Sequence, residues 1–250
     1  MGSAMIQAGL RQGLITARQY GHINKFGRNI DVDAAEDVWG VGGDVPTQTA
    51  ETVVDVVSGQ AADDLGSTGA EYVTVEGWNL AGAYVTDTIE MDGLTNNQGT
   101  VPMAGINRAY VSQAGSGKVN AGAITLSNFP VTVTLGSIAA GESQTQQAAF
   151  FVAAGMTGLV SRWWAYANAG SPAATIIDLA LRVYTDGVWR TLSNAGVVSD
   201  GNNQVDHAYG RDNELVVPSS TLFVVRVTAV GAANCDVSAG FDMSLFHNIA

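Results

Sequence analysis

The chain has 250 residues, 46% of them hydrophobic and 14% charged, with a formal net charge of −12. That composition excludes a wholly disordered chain, and the length suits one large all-β domain or two small ones. The acidic balance excludes broad nucleic-acid or anionic-membrane binding, because phosphate contacts need Lys and Arg on the contacting face.

The charge falls into blocks. Residues 1–30 carry Arg11, Arg18, Lys25 and Arg28 and no acid; residues 31–92 carry 14 acids and no base; residues 93–250 carry nine acids and seven bases. Cys235 is the sole cysteine, so no intrachain disulfide forms and nothing calls for an oxidising compartment. Arg11 and Arg18 interrupt any apolar segment a signal peptide would need, and no run of about 18 apolar residues occurs. The expectation is a soluble protein that stays where it is made, with no membrane or nucleic-acid partner.

In chain order, residues 1–30 are the one region where a helix or a flexible segment is expected. Ile6, Leu10 and Leu14 recur every four residues, while Gly9 and Gly13 weaken the pattern. The segment reads either as a frayed terminus or as an arm that orders against a partner. Thereafter Thr- and Val-rich runs alternate with Gly, Asn, Asp and Ser, as strands and turns require. The first half offers TVVDVV, AEYVTVEGW, VTDTIEM, RAYVS, AITLS and VTVTL, with turn signals at Asp92-Gly93 and Gly115-Ser116-Gly117. A polar stretch, GESQTQQ at 141–147, precedes AAFFV and marks a boundary.

The second half alternates more strictly. Ile177, Leu179, Leu181 and Val183 share one face of a predicted strand, opposite Asp178, Arg182 and Tyr184. Phe223, Val225 and Val227 oppose Arg226, and Val237 through Leu245 repeats the device against Asp236, Ser238, Asp242 and Ser244. Asp186-Gly187 is a turn signal. Roughly a dozen strands at 8–12-residue spacing, with no βαβ rhythm, predict an all-β fold of antiparallel β-sandwich, jelly-roll-like domains preceded by an N-terminal arm. The expected division is an arm over 1–45, a sandwich over 46–140 and a second over 141–250.

Catalytic motifs fail on spacing. Ala-Gly-Ser-Gly-Lys ends at Lys118, but Val119 and Ser112 stand where a P-loop needs Ser or Thr and its first Gly. His22, His207 and His247 lie far apart, and DGNNQVD (200–206) has Val205 and Arg211 where a calcium loop needs Gly and Glu. That stretch reads as a solvated loop. Asp63-Asp64, Asp31/Asp33 and Glu36-Asp37 have no spacing that singles out a glycosidase pair, and turn hydrogen bonds account for them. The expectation is no catalytic residue, no metal and no cofactor. Trp163 and Trp164 are adjacent, so on a strand one of them faces away from the core and becomes a candidate interface anchor. Arg11, Arg18, Lys25, Phe26, Arg28 and Trp39 are the candidate partner-binding residues of the arm. The sign reversal reads as an addressing device, a basic arm reaching the acidic face of another molecule; the plain alternative is a solvated tail beside an acidic surface.

Two passages, GHINKFGRNIDVDAAEDVWGVGG (21–43) and VVSGQAADDLGSTGAEYVTVEGWN (56–79), followed by VTDTIEMDGLT (85–95), resemble virion structural proteins of tailed double-stranded DNA bacteriophages of aquatic hosts. The resemblance extends over about residues 25–130, with Trp78 and Met91 bulkier or softer than the pattern there. It implies a non-enzymatic particle component, similar to capsid decoration (cement) or head-fibre proteins. Such a protein would be homotrimeric, bound to the major capsid protein shell, and located in the virion after assembly in the host cytoplasm. A tail or fibre module reading host surface polysaccharide through exposed Trp is the alternative.

Overall fold

The computed structural model describes residues 19–47, 50–169, 175–210 and 213–247. It is all-β, with no helix among the described residues. The first described strands are β1 (Gln19–Val32) and β2 (Glu36–Asp37). Seven strands follow: β3 (Val54–Ser58), β4 (Ala70–Trp78), β5 (Tyr84–Glu90), β6 (Asn97–Gln98), β7 (Gly105–Ala114), β8 (Ile124–Asn128) and β9 (Thr134–Ile138). The last eight are β10 (Ala149–Val152), β11 (Met156–Ala169), β12 (Ile176–Thr185), β13 (Val188–Val198), β14 (Asp200–Ala208), β15 (Leu215–Val217), β16 (Thr221–Val230) and β17 (Cys235–His247). Two compact units form. The described parts of residues 1–38, 42–44 and 148–250 make the first, and residues 39–41 and 45–147 make the second.

In the first unit one sheet runs β1-β17-β11-β14, with β15 also pairing β11; the other runs β10-β16-β12-β13, with β2 pairing β16. All of these pairings are antiparallel. Setting aside the short β2 and β15, the eight remaining strands in chain order form sheets first-eighth-third-sixth and second-seventh-fourth-fifth. That order is a jelly roll, two interlocked Greek keys in a double sheet. The second unit is the sequence insertion between its first and second strands.

The core follows from period-two alternation. Ile177, Leu179, Leu181 and Val183 on β12, Phe223, Val225 and Val227 on β16, and Val237, Ala239, Phe241, Met243 and Leu245 on β17 are all at most 2% exposed. Each fully buried large side chain contributes roughly 1.5–3 kcal/mol. Phe223 and Phe241 meet between the sheets edge to face, with ring centroids 4.7 Å apart.

From Gln19 on, the segment expected as a helical or flexible arm is strand β1. It pairs with β17 from Gln19↔Phe246 to Val32↔Cys235. The reason is the partner: β17 is strictly alternating and needs a neighbour along its free side, and the helix-like spacing lay entirely within residues 6–14. Residues 1–18, with Arg11 and Arg18, lie outside the described residues.

The second unit has a four-stranded sheet, β6-β3-β8-β9, and a three-stranded sheet, β5-β4-β7. Val54, Val56, Val73, Val75, Ile89, Met103, Ile124, Leu126 and Ile138 make its core. The VTVTL run starts as a loop, and β9 begins only at Thr134. The Asn128 side chain accepts from the Thr132 and Val133 N–H groups at 3.0 and 2.7 Å and so holds a turn where a strand was expected.

Asp63 organises the loops of this unit. Its carboxylate, fully buried, accepts from Ser58 Oγ (2.5 Å), Ala70 N (2.7 Å), Ala121 N (2.7 Å) and Gly122 N (2.9 Å). Burial alone would raise its pKa, but these hydrogen bonds outweigh burial and lower it. A side chain at Gly69 would run into the Asp63 carboxylate and the Ala62 carbonyl, so only glycine fits there. Ser58, Asp63 and Gly69 therefore appear together in the sequence as one loop-tying device.

Candidate functional site

In a strand, residues two apart face the same way, and directly paired residues on neighbouring strands share a face. Applied to the β1-β17-β11-β14 sheet, the register sets its outer face in rows. One row carries Asn24, Asp242, Arg162 and Ala208; the next Phe26, Gly240, Trp164 and Asp206; the next Arg28, Ser238, Tyr166 and Gln204. Aromatic side chains and Arg–Asp pairs are thus interleaved on one surface.

The ion pairs are fork-like. Arg28 donates to Asp236 through Nε (2.9 Å) and Nη2 (2.6 Å), linking β1 to β17. Arg162 donates to Asp206 through Nε and Nη2, both at 2.8 Å, linking β11 to β14. The Arg162 pair holds the Asp206 carboxyl below its ordinary pKa and raises that of the guanidinium. Asn24 Nδ2 donates to Asp242 Oδ1 at 2.6 Å, with His22 Nε2 3.9 Å from the same oxygen.

The aromatics lie between these pairs. Phe26 and Tyr166 are each 38% exposed, and Trp164 is half-buried. Trp164 has the room it needs because residue 240 has no side chain. A Cβ built there would run into the Lys25 carbonyl oxygen and stand 2.6 Å from Cζ2 and 2.7 Å from Cε2 of the indole. The ring therefore lies across the β17 backbone.

Of the residues singled out in the sequence, Phe26, Arg28 and Trp164 come together on this face. Trp163 turns the other way and is buried at 1%, as adjacency on a strand demands. Lys25 sits on the inward side of β1, opposite Phe241, and is half-buried. Trp39 is 2% exposed and so offers no surface to a partner; its aromatic bulk makes burial the favoured outcome. Sequence reasoning missed Arg162, Tyr166, Asp206 and Asp236 as members of the face. The period-two spacing of Arg162, Trp164 and Tyr166 was a readable signal. Asp206 was hidden because DGNNQVD, taken as a solvated loop, is strand β14, paired along β11. Among the described residues, no three His, Cys, Asp or Glu side chains are placed to hold a metal ion.

No protein-family model and no curated protein matches the sequence. Among solved structures, the chain is similar to the VP2 subviral particle of infectious bursal disease virus, at 10% identity and TM-score 0.21, covering 93% of this chain and 73% of that one. It is also similar to the VP16–VP17 complex, "a complex of the two major capsid proteins of bacteriophage P23-77", at 10% identity and TM-score 0.21, covering 90% and 99%. The Gt strain structure of infectious bursal disease virus gives 9% identity and TM-score 0.20, with 94% and 78% covered. At such scores too little superposes for topology or role to carry over, and it is this chain's own strand order that defines the jelly roll.

Proposed function

We propose that the chain is a non-enzymatic bacteriophage virion structural protein, a capsid decoration (cement) protein that binds the outer capsid shell as a homotrimer. The observation that carries this reading is the strand order of the first unit, a complete jelly roll with a second small β-unit inserted between its first two strands. That double sheet is the architecture of viral capsid and lectin domains. The resemblance of residues 21–43, 56–79 and 85–95 to virion structural proteins of tailed phages supports the capsid branch of that choice.

Shell binding is assigned to the basic leader, with Arg11 and Arg18 as its charged contacts and the acidic units directed away from the shell. The proposed self-association brings three copies, each with its own leader, to one shell position, and weak contacts then add through multivalency.

The test uses the full chain and a chain lacking residues 1–18, each measured by size-exclusion chromatography with light scattering and by co-sedimentation with undecorated capsids. The reading expects both to be folded trimers and only the full chain to sediment with shells. A monomer, or equal shell binding by the two, overturns it.

A further inference from the structure

We propose that the outer face of the β1-β17-β11-β14 sheet is a binding site for neutral hexose polysaccharide, with Trp164 as its platform. A pyranose has an apolar side of C–H groups and a rim of hydroxyls. It is therefore recognised by an aromatic ring laid flat and by hydrogen-bonding groups fixed around that ring. Both elements are present.

The platform is Trp164. Its indole lies across the backbone at Gly240, where a Cβ would come within 2.6 Å of the ring. The side chain stays partly exposed, so part of the indole is open to a ligand. Tyr166, two residues along the same strand, stands about 7 Å away, and Phe26, two strands across, about 10 Å away. The three aromatic positions form a right-angled corner with Trp164 at its apex, a patch wider than a single monosaccharide.

The rim is supplied by Arg162–Asp206 and Arg28–Asp236, whose side chains are 30–47% exposed. A guanidinium has five N–H donors, and Arg162 gives two of them to Asp206, whose carboxylate keeps lone pairs beyond the two it uses. The Arg162–Asp206 pair therefore still offers donors and acceptors to hydroxyls, in positions already fixed by the bidentate contact.

The same features argue for sugar over other occupants. The core of a protein–protein interface is depleted of charge, whereas here ionised groups stand in or beside every aromatic row and would all have to be desolvated. A sugar leaves them at a wet rim. The face holds two guanidinium groups against three carboxylates, Asp206, Asp236 and Asp242, so an acidic polymer gains nothing from it. A neutral chain is the match. This site does not depend on where the protein sits in a particle.

The experiment screens the full chain against an array of neutral and acidic oligosaccharides, then titrates the best neutral hexose oligomer while following tryptophan fluorescence. The expected result is retention of neutral hexose oligomers, with a fluorescence change on binding. Trp164→Ala should weaken binding about tenfold or more, the loss of one ring stack, and Trp164→Phe less. Arg162→Gln, at an exposed position that does not support the core, should weaken it as well and stands in should Trp164→Ala fail to fold. Retention of acidic glycans alone, or of no glycan above the Trp164→Ala level, overturns the proposal. So does a Trp164→Ala chain that changes oligomeric state while neither form binds sugar, which would give the face to a second copy. Shell binding is read separately by sedimentation, so a chain that binds sugar but no capsid leaves this site standing and removes only the decoration role.

Discussion

The indole of Trp164 rests over Gly240 in the space that any other residue would fill with a Cβ. The two positions are directly paired on adjacent strands, so the glycine sets the tilt of the tryptophan and through it the surface of the sheet. Gly240→Ala should destabilise the first unit by about 1–3 kcal/mol, the usual cost of overpacking, and shift the near-ultraviolet circular dichroism of tryptophan. Unchanged thermal unfolding together with an unchanged spectrum would show that the ring does not need the gap.

Arg226 lies in the same unit as a cation between acids. It donates to Asp37 at 3.0 Å, to Asp44 at 2.5 Å and to the Ala35 carbonyl at 3.0 Å, while Asp37 is 1% exposed. Burial would lower the pKa of Arg226, but the two carboxylates outweigh burial and raise it. Arg226→Ala takes the guanidinium away from the buried Asp37 carboxylate and should cost about 3–5 kcal/mol. Adding Asp37→Asn to that variant should restore part of the loss. Chemical denaturation of the single and double variants measures both, and a double variant no more stable than the single one would refute the account.

In the second unit the Asp63 carboxylate is held below the ordinary 3.8 by its four donors, which outweigh burial. A lowered folded pKa means that its stabilisation is complete above the unfolded value and is lost as pH falls through the folded value, below 3.8. Asp63→Ala leaves the N–H groups of Ala70, Ala121 and Gly122 without their acceptor, at about 1–3 kcal/mol each. Asp63→Asn should flatten the acid limb of a stability-against-pH curve below pH 4. An acid limb identical to that of the native chain would rule the mechanism out.

Asp55 works in the opposite direction. It is 5% exposed, its Oδ1 has no hydrogen-bond partner, and burial pushes its pKa above 3.8. An acid with a raised folded pKa penalises the fold when ionised, and the penalty disappears as pH falls through that value. Asp55→Asn should therefore raise the unfolding temperature at pH 7 and lose its advantage in acid. A variant less stable than the native chain at pH 7 would contradict this.

Deleting residues 1–30 removes most of β1 and uncovers β17 along Val237–Phe246, so that chain should fail to fold. Deleting residues 1–18 spares every described strand, and circular dichroism should find it native. If both truncations fold alike, β1 is dispensable to the sheet.

The all-β class and the second-half strands were legible because alternation there is strict. Ile177, Leu179, Leu181 and Val183 face the core as their spacing demanded. β1 was not legible, since Lys25 and Asn29 fall on its inward side and break the apolar alternation that would have announced a strand. β14 was hidden for a related reason: DGNNQVDHA has turn-forming residues, and only its pairing along β11 makes it extended. The outer face of the β1-β17-β11-β14 sheet was half legible. Adjacency required one outward tryptophan, but Asp206 and Asp236 reach their arginines from strands far away in sequence, which local patterns cannot reveal.

The pairing of β1 with β17 also sets a timetable for synthesis. The opening strand emerges from the ribosome more than 200 residues before its neighbour, whereas the inserted unit, residues 45–147, has all its own strands early. The insertion is free to fold during translation, while the jelly roll must wait for its last strand, a late closure of high contact order. An interrupted product therefore lacks a finished first sheet. Only a chain translated through β17 can present the assembled outer surface.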